Sequence, residues 1–224
     1  MGKRFGICCI LLGVCCLLAA VGLIGYNRWE EQNARDLSQS LLQDVRDNIL
    51  QQAGDLPAPE APAPEPPLPQ PGEPVELPAL LPQEPPEEQP REMPTAQVNG
   101  QDCIGILSIP VLELELPVLT DWSYAKLKIA PCHYFGSCYE PNFVIAAHNY
   151  RAHFKRLPEL QPKDLILFTD ISGTVYCYEV VLLETLPAHA TEEMITSGFD
   201  LSLYTCTPGR ANRVTVRCTA VTNR

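Results

Sequence analysis

The sequence predicts an all-β domain, a barrel or a sandwich, carried on an N-terminal membrane helix. Three observations point there. Between residues 104 and 221 the apolar residues fall into seven or eight short runs divided by turn residues, with room for only two short helices. Residues 101–224 carry 10 basic and 13 acidic side chains and are the size of one domain with one core. Residues 55–94 hold 15 of the 23 prolines and nine acids against one arginine, a net −8 of the chain's −11, so this stretch buries too little apolar surface to fold. Neither part has a basic excess, which argues against nucleic-acid binding.

At the N-terminus, Lys3 and Arg4 precede an uncharged apolar run of 22 residues, 5–26. At about 1.5 Å per residue a helix of that length spans roughly 33 Å, enough for a hydrocarbon core of about 30 Å. The basic pair before it, with Glu30 and Glu31 after it, predicts a cytoplasmic N-terminus and an extracellular remainder in the cell membrane. The small residues Ala19 and Ala20 leave a cleaved signal peptide as the alternative. Leu37, Leu41, Val45 and Ile49 then recur every four residues up to Gly54. That pattern is an amphipathic stalk helix, either continuing from the membrane, lying on it, or pairing with another copy. The proline-rich residues that follow favour extended polyproline II at about 3.1 Å per residue, a reach of up to roughly 120 Å, and read as a spacer setting the height of the domain. The expected organisation is 1–26 cytoplasmic tip and membrane helix, 27–54 stalk, 55–100 disordered linker and 101–224 folded domain.

Within the domain, residues 104–109 form a first strand ending at Pro110, and Leu112, Leu114 and Leu116 alternate with Glu113 and Glu115 in a half-buried second strand ending at Pro117. Residues 122–129 suggest a short helix. The continuous apolar run 143–147 fits a strand buried on both faces, with His148 at its end. Residues 152–160 suggest the second short helix, and 165–169, 175–183, 201–206 and 213–221 read as strands.

Ten cysteines divide by environment. Cys8, Cys9, Cys15 and Cys16 lie in the apolar run, where they act as small apolar residues. Cys103, Cys132, Cys138, Cys177, Cys206 and Cys218 lie in the domain, and in an oxidising compartment they permit up to three disulfides in any of 15 pairings. Cys132-His133 with Cys138 lacks a second ligand pair at zinc spacing, so neither a metal nor another cofactor is expected. Glu192 and Glu193 are two adjacent acids without a partner set, which reads as a solvated face rather than a calcium site.

A thiol nucleophile needs a nearby acid/base and a fixed donor for the developing oxyanion. The strand 201–206 ends at Cys206, where Pro208 and Gly209 break it, so the thiol stands at a sheet mouth. Six residues, 207–212, return the chain into 213–218, and a symmetrical hairpin puts Arg213 opposite Cys206. Arg210 then lies at the loop tip, while Arg217 is about 13 Å along from Arg213 and pairs with an acid on the barrel surface. His148, at the end of a buried strand, is the acid/base candidate, ahead of His133, His153 and His189.

Ser202-Leu203-Tyr204-Thr205-Cys206 resembles the Thr-Leu-x-Thr-Cys signature of the sortases, the membrane-anchored cysteine transpeptidases of Gram-positive bacteria. Arg213-Val214-Thr215-Val216-Arg217 is similar to that family's arginine strand, Ala147-His148 stands where it usually has Gly-His, and residues 105–110 look like its first barrel strand. The resemblance covers about 103–221 and implies a closed eight-stranded barrel. It also implies an extended sorting signal of the Leu-Pro-x-Thr-Gly type on client surface proteins. Cys206 would form a thioester with the signal's Thr carbonyl, and His148 would protonate the departing amine and activate the incoming one. Arg213 would hold the substrate backbone and the oxyanion, with substrate contacts at Thr205 and Ala147. An amine of a cell-wall precursor or a pilin would be the acceptor. Subclass signals conflict: the 14 residues 187–200 are too short for the insertion of the iron-acquisition type, whereas His148-Asn149 is common in that type. The rival reading is a disulfide-stapled, non-enzymatic binding domain on a stalk, in which Cys206 is oxidised.

Overall fold

A computed structural model of the chain describes residues 2–54 and 91–221. Most of the expected linker therefore lies outside the described residues. The membrane run and the expected stalk form one helix, α1 (Gly2–Gly54), about 80 Å long at 1.5 Å per residue. Ile10, Leu17 and Val21 in its first half are exposed, and the helix is long and apolar enough to cross a membrane.

Past Glu30 the helix turns a buried stripe, Ala34, Ser38, Leu41, Val45 and Ile49, toward the rest of the chain, while Leu37, expected in that stripe, is 42% exposed. Leu41, Val45 and Ile49 share one apolar cluster with Val98, Ile106 and Leu119. Each such side chain contributes roughly 1.5–3 kcal/mol when removed from water. Arg46 pairs with Glu115 at 2.5 Å, and Asn99 donates to Asp44. The partner of the stalk is therefore the chain's own domain.

The strands are β1 (Ala96–Val98), β2 (Gln101–Ile109), β3 (Leu114–Leu119), β4 (Cys132–Phe135), β5 (Phe143–Ala146), β6 (Leu165–Asp170), β7 (Val175–Pro187), β8 (Leu201–Cys206) and β9 (Asn212–Ala220). They run β2-β3-β4-β5-β8-β9-β7-β6, and β6 pairs back with β2, so eight strands close a barrel, with β1 added on β2. The β3–β4 and β5–β8 pairs are parallel and the sheet is mixed. At the closing seam Gly105 faces Asp170, and any Cβ there would overlap the Thr169 carbonyl oxygen. Only glycine lets the seam shut.

The long strands stand where the apolar pattern puts them; the short elements do not. β1 and β4 were not anticipated, and β3 runs through Pro117 to Leu119. Beyond β2, β3 pairs only at Leu119 with Cys132, so the missing N–H of Pro117 costs no ladder bond. The two expected helices are 3₁₀ turns, Lys126–Lys128 and Phe154–Glu159, the second containing Pro158. A short helix not expected, α2 (Thr191–Ile195), lies in the β7–β8 connection. Inside the barrel pack Phe143, Ile145, Phe168, Leu203 and Val216. Val144, Ala146 and Tyr204 lie on the outer side with Met194 of α2 and the α1 stripe. That second layer explains why β5 is apolar on both faces.

Candidate active site

Three neighbouring strands bring the expected residues together. β5 and β8 pair in parallel up to Ala146 opposite Tyr204. The Ala147 N–H continues the ladder to the Tyr204 carbonyl at 3.1 Å, so two residues further on His148 lies beside Cys206. Across the other edge, Cys206 pairs with Arg213 in the antiparallel β8–β9 register. That register is the one expected from the six-residue loop, which is closed by Thr207 N–H to Asn212 O at 2.9 Å and Asn212 N–H to the Thr207 hydroxyl at 3.2 Å. Adjacent strands lie about 4.8 Å apart, so His148 and Arg213 flank Cys206.

Side-chain alternation sets the face. Ala147, Leu203 and Val216 belong to the inner cluster, so His148, Cys206 and Arg213, each at an alternate position, point outward at the strand ends. Ala147 and Thr205, expected as substrate contacts, lie on the inner side and are 5% and 2% exposed. The Thr205 hydroxyl donates to the Ala147 carbonyl at 2.9 Å. Those two residues tie the histidine strand to the cysteine strand.

His148 is half-buried, and its pKa is pushed below the usual histidine range by burial first, then by Arg210 and Lys128, with Glu30 opposing. The imidazole is consequently neutral at pH 7 and able to accept a proton. The Arg213 guanidinium stacks over the Tyr204 ring, 4.9 Å from its centroid, and its buried Nη1 has no hydrogen-bond partner. A buried donor without a partner is costly, and this one stands beside the Cys206 thiol with a free N–H that can take a negative charge.

Four of the other domain cysteines are buried. Burial pushes the thiols of Cys103, Cys132 and Cys218 up to about 12 and that of Cys138 up to about 11. All six domain cysteines are free. Cys103 and Cys132 pair with Leu119 from opposite sides, about 9–10 Å apart at two strand spacings, beyond the roughly 7 Å a disulfide spans.

The competing histidines are engaged or enclosed. His133 has its ring nitrogens at 3.0 Å and 2.7 Å from the carbonyls of Thr120 and Gly136, which leaves neither for a metal. His153 is 0% exposed, neither ring nitrogen has a partner, and burial, with His148 adding, pushes it down to about 4. His189 is exposed.

Arg217 departs from expectation. It does pair with an acid, Glu184 at 2.7 Å, but it is 1% exposed and not on the surface. It also donates to the Ser202 hydroxyl at 2.8 Å and to the carbonyls of Glu193 at 2.8 Å and Met194 at 3.3 Å. The hydroxyl that opens the Ser202–Cys206 segment thus serves Arg217, which fastens the β7–β8 connection over the outer face. Also missed from sequence were Tyr204 under Arg213, and Glu30, Lys128 and Tyr150 around His148. A signal existed for Glu30, the first charge after Arg28 beyond the membrane run, but it reads equally as a topology marker.

The family described as Sortase domain matches residues 107–221, 115 of the chain's 224 residues. Among solved structures, sortase A from Corynebacterium diphtheriae is similar at 22% identity and a TM-score of 0.50, over 55% of this chain and 63% of that one. Sortase C1 from Streptococcus agalactiae is similar at 24% identity and a TM-score of 0.50, over 57% of this chain and 72% of that one. At these identities the likeness is one of fold, and its two subjects carry different class letters. The comparison with curated proteins gives no significant match.

Proposed function

The chain belongs to the sortase family, and on that premise we propose that it is a membrane-anchored cysteine transpeptidase. It cleaves a Leu-Pro-x-Thr-Gly-like sorting signal and joins the surface protein to an amine of the cell wall or of a pilin. The observation that carries this reading is the row His148, Cys206, Arg213 across three adjacent strands on one face.

In this reading His148 takes the Cys206 proton, and the thiolate attacks the Thr carbonyl carbon of the signal. Arg213 stabilises the oxyanion with fixed, always-charged donors. As the C–N bond breaks, the imidazolium gives its proton to the departing amine, leaving a thioester on Cys206. The acceptor amine then loses a proton to His148 as it attacks, and the thiol is regenerated. Thr205 and Ala147 serve by holding the two strand ends in register, one hydrogen bond away from the reacting row. No cofactor enters the sequence. In this reading the N-terminus is cytoplasmic and the reacting row lies outside, close to the membrane. A disulfide-stapled binding domain is the weaker reading, since it requires Cys206 to be oxidised and the six domain cysteines are free.

The test mixes the full chain in detergent with a library of five-residue signals and an amine, and reads the adduct by mass. A thioester at Cys206, and its complete loss with cleavage in Cys206→Ala, is the expected result. Cleavage surviving in Cys206→Ala would refute the assignment.

A further inference from the structure

The loop that follows His148 is held by the anchor helix. The Glu31 carboxylate of α1 accepts the Arg151 backbone N–H at 2.6 Å and lies 4.0 Å from the Lys155 ammonium. One residue earlier, Glu30 pairs with Lys128 at 2.7 Å, and Tyr150 directly precedes the Arg151 that Glu31 holds. The Tyr150 ring in turn packs beside the His148 imidazole with centroids 5.0 Å apart. The Glu30–Glu31 pair thus reaches from the juxtamembrane helix to Lys128 and to the loop whose Tyr150 ring lies against His148. Only about four residues, roughly 6 Å of helix, separate Glu30 from the end of the apolar run.

We propose that Glu30, on the helix that carries the membrane span, is a positioning residue for His148. The proposal rests on the transpeptidase reading. The groups facing the imidazole are Cys206 of β8, Arg213 of β9, Arg210 of the β8–β9 loop, Lys128 of the 3₁₀ turn, Tyr150 and His153 of its own loop, and Glu30 of α1. Among the described residues, Glu30 is the acid in this set. Arg210 and Lys128 disfavour the imidazolium that must form when His148 takes the thiol proton, and Glu30 offsets them. Beside it, Glu31 holds the Arg151 backbone and with it the loop whose Tyr150 lies against the ring. Docking of α1 therefore completes the histidine side of the site, and a barrel freed of its anchor would lack that acid.

The experiment uses the full chain in detergent micelles. The His148 imidazole is titrated by NMR in the parent protein, in Glu30→Gln and in Lys128→Gln, and turnover of a sorting-signal peptide is followed in parallel. Removing the acid should lower the His148 midpoint, and removing the ammonium should raise it, because the two charges act on the ring with opposite sign. In Glu30→Gln, kcat should fall by about tenfold or more while KM stays within about twofold. A general loosening of the helix would move both midpoints the same way. Shifts of one sign, an unchanged midpoint in Glu30→Gln, or an unchanged kcat overturns the proposal. If the parent protein turns over no sorting-signal peptide, the transpeptidase reading fails, and the two midpoints still decide the role of Glu30.

Discussion

Arg213 and Arg217 stand four residues apart on the outer face of β9, and their surroundings are opposite. Arg217 lies under the β7–β8 connection, with Glu184, Ser202 and the carbonyls of Glu193 and Met194 taking its donors. Arg213, at the open end of the same face, has a stacked ring beneath it and a buried Nη1 with no partner. The covered end engages its donors within the fold, whereas the open end leaves one buried donor unengaged. The histidines divide in the same way, with His148 half-buried at the mouth and His153 fully enclosed behind Tyr150.

The comparison is most directly broken at Arg213. Arg213→Ala should reduce kcat by about 10²–10³ in correctly folded protein, the usual cost of an oxyanion donor. Arg213→Lys should remain badly impaired, because an ammonium keeps the charge and loses the planar fork. Peptide turnover measured alongside circular dichroism decides it, and a normal rate in Arg213→Lys would refute a role for the fork.

Next in size is the covered arginine. Arg217→Ala leaves the Ser202 hydroxyl and the carbonyls of Glu193 and Met194 without their donor and the half-buried Glu184 without its cation, which typically costs about 1–3 kcal/mol of stability. Denaturant unfolding should show that loss, while the molecules that remain folded should turn over within about tenfold of the parent. A rate that fell further for Arg217→Ala than for Arg213→Ala would reverse the comparison.

His153 sharpens it through pH. Its native pKa of about 4 lies below the usual histidine value of 6.5, so between those limits the unfolded chain binds a proton that the folded chain refuses. Stability is then lost as pH falls from about 6.5 toward 4, by up to roughly 3 kcal/mol from this group. In His153→Leu, which sacrifices no hydrogen bond, the difference in unfolding free energy between pH 7.5 and pH 4.5 should shrink. An undiminished difference would show that the enclosed ring does not titrate as its burial implies.

The smallest effect belongs to Arg210, exposed at the loop tip. Arg210→Ala should change turnover by less than about tenfold and raise the His148 midpoint, since a cation is withdrawn from a solvated position beside the ring. A lowered midpoint would mean that loop geometry, and not charge, sets this histidine's environment.

How much of this was legible depended on the range of the forces involved. The long strands, the β8–β9 register and the pairing of Cys206 with Arg213 follow from side-chain alternation and the length of one loop, all local quantities. The Ser202–Cys206 segment and the arginine strand also suffice to suggest the family, which the match over residues 107–221 shows. The membrane run is legible for a similar reason, since its length and lack of charge are properties of consecutive residues. What the chain segments meet across space was not legible. Ala34 and Ser38 look no more interfacial than Leu37 until the barrel selects a helix face. Arg217 looks like a surface cation until the β7–β8 connection folds over it. Glu30 looks like a topology marker until α1 docks beside Lys128 and Arg151. Periodicity tells a residue which way it points relative to its neighbours in sequence, whereas burial and charge pairing depend on segments tens of residues away, and only the closed barrel with its docked helix brings those together.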